Sequence, residues 1–180
     1  MRLFTALWPD PEVIEDLGSA LRPLELPAGV RLVPPERWHL TLCFHGDCDE
    51  SERERRVARL EHRVRDLTAP VLRLASAGVF RGVLWIGVEP AEDDDLRALR
   101  ALVRAAGADP RGYRAHLTVA RWSRGHPDTT ALRRILRDYT GPWWRPREVT
   151  LVHSRLGPAG PTYTPLHRVP LTPEREIPER

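Results

Sequence analysis

Polar and apolar residues along the chain switch between a strand period and a helix period, and the switches mark the elements. Residues 2 to 8 read as a strand, and Pro11 opens a helix with Val13, Ile14, Leu17 and Leu21 on one stripe. Prolines 23, 27, 34 and 35 mark an irregular connection before a strand from Trp38 to His45, which Gly46 and Asp47 end. A charged helix follows, with Val57, Leu60, Val64 and Leu67 on one face and Asp49 and Glu52 spaced as a capping box. Beyond Pro70, residues 71 to 80 and 82 to 89 read as a hairpin joined at Arg81 and Gly82. The second half repeats this order. A helix over 93 to 106 carries Leu96, Leu99, Leu102 and Val103 inward, starts on the solvated run Glu92 to Asp95 and stops at Gly107. A strand at His116 and a helix from about Asp128 to Tyr139, with Leu132, Ile135 and Leu136 inward, come next. Strands near 146 to 156 and 161 to 169 close the chain.

Strand 2 to 8 aligns with 82 to 88, His39 with His116, and the helix at Ser51 with that at Thr129, at spacings of 80, 77 and 78 residues. That near-constant spacing implies a duplicated unit: one bilobal domain over 1–180, with approximate repeats 1–80 and 81–170. The expected fold class is α+β. Two pseudo-symmetric lobes, each an antiparallel sheet with helices packed outside, would flank a central cleft. The strands Trp38 to His45 and Ala115 to Arg121 both contain the pattern His-x-Thr-x. Alternation places His39 and Thr41 on one face and Leu40, Leu42 and Phe44 on the other, and likewise sets His116 and Thr118 against Leu117 and Val119. With the apolar faces turned inward, the two His/Thr pairs line the cleft.

Composition changes this picture little. The chain has 180 residues, 41% of them hydrophobic, no apolar run of membrane length, and an N-terminal stretch too short for a signal sequence, so a cytoplasmic protein is expected. Cys43 and Cys48 read as free thiols. All 28 basic residues are arginine, and although the net charge is a modest +3, arginine forks well onto phosphate oxygens.

Two imidazoles across a cleft suit the opening of a cyclic phosphodiester. An unperturbed imidazole has a pKa of about 6.5, so near neutral pH one can accept a proton from water while the other donates one to the leaving oxygen. The spacing does not say which does which. Thr41 and Thr118 can donate to the nonbridging oxygens as charge builds there, and the reaction needs no metal. His39, Cys43 and His45 share a face by alternation, but three ligands spread over roughly 13 Å of strand do not close on one ion. His62, His126, His153 and His167 read as surface or supporting residues. Trp38, Trp85, Trp122, Trp143 and Trp144 read as packing.

The segments RLFTAL, WHLTLCFHG, GVFRGVLWIGV, YRAHLTVAR and HSRLGPAGPTYTPL together resemble the 2H phosphoesterase superfamily. Within it they resemble the LigT-like enzymes called RNA 2′,3′-cyclic phosphodiesterases or 2′-5′ RNA ligases. The resemblance implies that the 3′ oxygen leaves to give a 2′-phosphomonoester, with His39 as proton donor and His116 as proton acceptor. It also implies phosphate contacts from Thr41, Thr118, Arg121 and Tyr163. The expected substrates are RNA with 2′,3′-cyclic phosphate ends or small cyclic nucleotides, the expected protein is a monomer, and no cofactor is expected. Phe44 is a weaker candidate for stacking a base, since alternation turns it from the cleft. Two other readings stand beside hydrolysis: a 2′-5′ RNA ligase using the same cleft, and a noncatalytic RNA-end-binding module, which would be expected to have lost a motif histidine or threonine.

Overall fold

The computed structural model describes residues 1–180 except 81, 124, 126, 159, 173–176 and 178–180, so Arg81 and His126 lie outside the described residues. In chain order the elements are β1 (Arg2–Leu7), α1 (Pro11–Leu21), β2 (Arg31–Leu32), a 3-10 turn (Pro35–Arg37), β3 (Leu40–Asp47) and α2 (Glu50–Val64). They continue with β4 (Leu72–Phe80), β5 (Val83–Pro90), α3 (Asp93–Ala106), β6 (His116–Arg121), α4 (Thr130–Arg137), β7 (Thr140–Trp144), β8 (Glu148–Gly157) and β9 (Gly160–Pro170). Local chemistry sets the helix ends. Asp49 accepts from the Glu52 amide at 2.8 Å while Glu52 accepts from the Asp49 amide at 3.0 Å, the capping box that the spacing predicts. Asp95 departs from the expected solvated helix start: it is buried, accepting from the Val71 and Glu92 amides at 2.9 and 3.2 Å, and so ties α3 to the start of β4. Ile135, expected inward, is half exposed on α4, whose buried residues are Leu132 and Leu136.

The strands form two antiparallel sheets, ordered β3-β1-β8-β9 and β2-β6-β5-β4-β7. Apart from β2 the two orders match position for position: β3 with β6, β1 with β5, β8 with β4, β9 with β7. This is the α+β two-lobed architecture that the repeat predicts, with one difference in connectivity. Sheet membership does not follow the halves 1–80 and 81–170, because β4 joins the second sheet and the two last strands return to complete the first. The short β2 adds to the tie, pairing Arg31 with Arg121 and Leu32 with Ala120 across the lobes. One buried cluster runs through both lobes, from Leu3, Leu7, Leu40 and Leu42 to Leu84, Ile86, Leu117 and Val119. Trp38 and Trp144 are fully buried within it, as packing residues. Among the described residues no helix is long and apolar enough to cross a membrane.

Candidate active site

Each motif strand carries an extra residue relative to its partner at the same place, and β3 carries a second at His45, between Phe44 opposite Phe4 and Gly46 opposite Leu3. In β3, Thr41 faces Ala6 and Cys43 faces Thr5, leaving Leu42 over; in β6, Thr118 faces Trp85 and Ala120 faces Leu84, leaving Val119 over. Such a bulge puts two successive residues on one side and reverses the alternation beyond it. Leu42 and Val119 stay in the core, and the residues three past each threonine, Phe44 and Arg121, turn to the same side as the histidines. Arg121 therefore stands in the cleft, where its charge acts on both His39 and Tyr163. Phe44 is corrected from the inward face to this one: it is 71% exposed, with its ring 6.1 Å from that of Phe4.

The same bulge removes His45 from the face of His39. Its Nδ1 lies 3.0 Å from an Arg56 nitrogen, which can donate and not accept, so Nε2 carries the hydrogen and donates to Thr5 Oγ1 at 2.8 Å. Loss of water and the Arg56 charge lower its pKa from 6.5 to about 4. His45 is thus a neutral bridge on the reverse face of β3, beside Cys43, which it meets at 3.6 Å.

The catalytic candidates are held alike in the two lobes. His39 Nδ1 lies 2.7 Å from the Arg37 carbonyl, and His116 Nδ1 lies 2.7 Å from the Arg114 carbonyl. A carbonyl accepts, so each Nδ1 carries a hydrogen and each Nε2 is the nitrogen left to exchange a proton. His39 stacks on Phe4 with ring centroids 4.9 Å apart and also meets Trp8 at 5.1 Å and Tyr163 at 5.2 Å, the last edge-on. Desolvation in this aromatic box, with smaller contributions from the charges of Arg121 and His116, lowers its pKa from 6.5 to about 4 against the opposing Arg37 carbonyl. His116 meets Phe80 edge-on at 5.5 Å and Trp85 at 6.1 Å. Trp85 reaches that position by lying across Gly78, where a Cβ would fall 2.1 Å from its ring.

The lobes meet at the motifs, with β3 against β6 and the Tyr113 hydroxyl donating to the Thr41 carbonyl at 2.7 Å. Burial raises the Tyr113 pKa, which keeps that hydrogen in place. Thr41 and Thr118 are half-buried, and among the described residues neither hydroxyl has a hydrogen-bond partner. Of the residues expected from the sequence, His39, Thr41 and Tyr163 belong to the lobe with the aromatic box and His116, Thr118 and Arg121 to the other, the Arg121 charge reaching across to His39 and Tyr163. His62, His153 and His167 lie elsewhere, the last 3.1 Å from Glu61. Phe4 and Trp8 are the site residues that sequence reasoning missed. Their signal was the alternation of β1, which puts Phe4, Ala6 and Trp8 on one face and Leu3, Leu7 on the other.

Comparison with known proteins places the chain in a family and agrees with its fold. A family model described as the 2′-5′ RNA ligase superfamily matches residues 9–158. The chain is 32% identical over 181 residues to the RNA 2′,3′-cyclic phosphodiesterase of Archaeoglobus fulgidus, covering 92% of this chain and 98% of that protein. It is 33% identical over 190 residues to the Thermus thermophilus protein of the same name, covering 97% and 92%. A crystal structure of a Thermus thermophilus protein is similar with a TM-score of 0.68 and 30% identity, covering 97% of this chain and all 100% of that one. Escherichia coli LigT complexed with 3′-AMP shares the fold with a TM-score of 0.72 at 23% identity, covering 95% and 98%.

Proposed function

The chain belongs to the 2′-5′ RNA ligase superfamily, the 2H phosphoesterases, and on that premise we propose that it opens 2′,3′-cyclic phosphates at RNA ends, or in small cyclic nucleotides, to 2′-phosphomonoesters. The observation that carries this reading is the pair of histidines held by matching Nδ1 bonds, each with Nε2 free to exchange a proton. In the proposed step His116 Nε2 takes a proton from water as its oxygen bonds to phosphorus. The bond from phosphorus to the 3′ oxygen breaks, and His39 Nε2 gives that oxygen its proton. Thr41 and Thr118 donate to the nonbridging oxygens, and Arg121 sets a fixed positive charge against them. Tyr163, edge-on to His39, bounds the phosphate site. Both proton transfers come from side chains, so the step calls for no metal.

The test is an RNA ending in a 2′,3′-cyclic phosphate, offered to the protein in EDTA. Turnover to a 2′-phosphate is expected; a 3′-phosphate would exchange the leaving oxygen, and activity that needs added zinc, manganese or magnesium would reject the two-histidine mechanism. The family description also carries a ligase reading, in which a 5′-hydroxyl takes part in place of water in the same cleft. The names of the curated relatives favour hydrolysis.

The donor role asks His39 to hold a proton that its surroundings disfavour while the cleft is empty. A phosphodiester set between Arg121 and His39 supplies the missing negative charge, so the bound pKa rises above the free value of about 4. Between the two values the complex binds more protons than the free protein. Affinity for a 2′,3′-cyclic mononucleotide, measured on His116→Ala to prevent turnover, should therefore strengthen as pH falls toward 4 and level off below it. Affinity independent of pH over this window would move the donor role away from His39.

A further inference from the structure

A cavity of about 560 Å³ opens next to the aromatic box of His39, and no step of the proposed reaction uses it. It shares Trp8 and Tyr163 with the box, and their rings lie 5.1 and 5.2 Å from the ring of His39, so these two side chains join the cavity to the proposed donor. The volume falls within the ordinary range for small-molecule pockets.

The charges at its rim say what does not belong there. Arg147 is paired with Asp10 at 3.3 Å and Arg168 with Glu148 at 2.9 Å, so neither arginine offers an uncompensated cation to a second phosphate. Glu36 also lines the cavity, and among the described residues its carboxylate has no partner. A cavity lined by aromatic rings and a carboxylate acceptor suits a flat ring bearing N–H donors. Glu36 sits in the turn Pro35–Arg37, and the next residue, Arg37, supplies the carbonyl that orients His39. A ring hydrogen-bonded to Glu36 is thereby held in register with the proton-exchanging nitrogen.

We propose that this cavity receives the base of the nucleoside carrying the cyclic phosphate, and that Glu36 makes the site select guanine over uracil. The proposal rests on the phosphodiesterase reading for its substrate. Guanine presents two neighbouring N–H donors to a single carboxylate. Adenine and cytosine present one exocyclic amine, and uracil presents one N–H flanked by carbonyl oxygens that a carboxylate repels.

The experiment has a binding arm and a turnover arm on the intact protein. Calorimetry with guanosine 2′-monophosphate and uridine 2′-monophosphate should show the guanosine product bound roughly 10- to 100-fold more tightly, the discrimination expected of a hydrogen-bonding site. Short RNAs ending in cyclic guanosine or uridine phosphates should show the same order in kcat/KM. Glu36→Gln, a change at an exposed turn residue, should bring both ratios to within about twofold. Equal binding of the two products by the unaltered protein, or equal weakening of both by Glu36→Gln, overturns the proposal. If no cyclic end is hydrolysed but product discrimination still depends on Glu36, the base site stands and the phosphodiesterase reading falls. Hydrolysis without base preference would leave the phosphodiesterase reading standing and overturn the base site.

Discussion

Replacing either His39 or His116 by alanine should lower kcat for cyclic-phosphate opening by at least about 10²-fold, since a positioned acid or base typically contributes 10²- to 10⁴-fold. The double variant should lose little more than the worse of the two. Acid and base act here on one phosphorus in one step, and a residue whose partner is gone has little left to contribute, so the losses do not multiply. The fold should survive both changes. His39 lies half-buried on the cleft side of β3, while the residues that hold that strand to the core are Leu40 and Leu42, on its other side. Steady-state rates for the two single variants and the double variant, with unfolding midpoints alongside, make the check. Losses that multiply would mean the two histidines serve separate steps, and an unchanged kcat in either single variant would remove that residue from the reaction.

The elements and the two motifs were legible because their signals are local. Leu40 and Leu42 against His39 and Thr41, the Asp49–Glu52 box and the Gly107 stop, with its φ of 107°, each need only a few neighbouring residues to decide them. The sheet partners were less legible, because pairing is a competition over the whole chain. The hairpin of β4 with β5 carries β4 into the second sheet, and the place beside β1 is then filled from the far end by β8. The duplication remains visible in the repeat spacing, but each lobe is completed by chain from the other side of the repeat boundary.

The faces of the motif strands show a subtler limit. Alternation is sound until a bulge, and the bulge that the two motif strands share is marked by no glycine or proline: the extra residues are Leu42 and Val119, ordinary strand formers. Strict alternation therefore misplaces Cys43, Phe44 and His45, all beyond the bulge, and correctly places His39 and Thr41, both before it. For Arg121 the motif resemblance pointed to the phosphate, and the bulge is the physical reason that the side chain reaches the cleft at all. Trp8 escaped notice for another reason. It follows the last residue of β1, and its part in the His39 box depends on Phe4 and Tyr163, which lie far from one another in the chain.

Thr41→Val and Thr118→Val should each cost about 2 to 4 kcal/mol of transition-state stabilisation, the range found when one preorganised donor to a developing oxyanion is removed. Valine keeps the β-branched shape and the strand preference, so the change deletes a hydroxyl and leaves the packing nearly as it was. Neither hydroxyl has a hydrogen-bond partner among the described residues, so no protein contact is broken and the unfolding midpoint should hold or rise slightly. The bond that Tyr113 makes to position 41 runs to the backbone carbonyl and survives the substitution. The kinetic signature discriminates between two roles for these hydroxyls. A donor that acts as charge builds on the phosphate lowers kcat and kcat/KM together, whereas one that merely helps to hold the substrate raises KM and leaves kcat alone. The matching place of the two threonines, each one strand step from its histidine and just before its bulge, predicts the first pattern for both. Full kcat in either valine variant would show that its oxygen makes no contact with the phosphate that strengthens during the reaction, and would leave charge stabilisation to Arg121 and the remaining threonine.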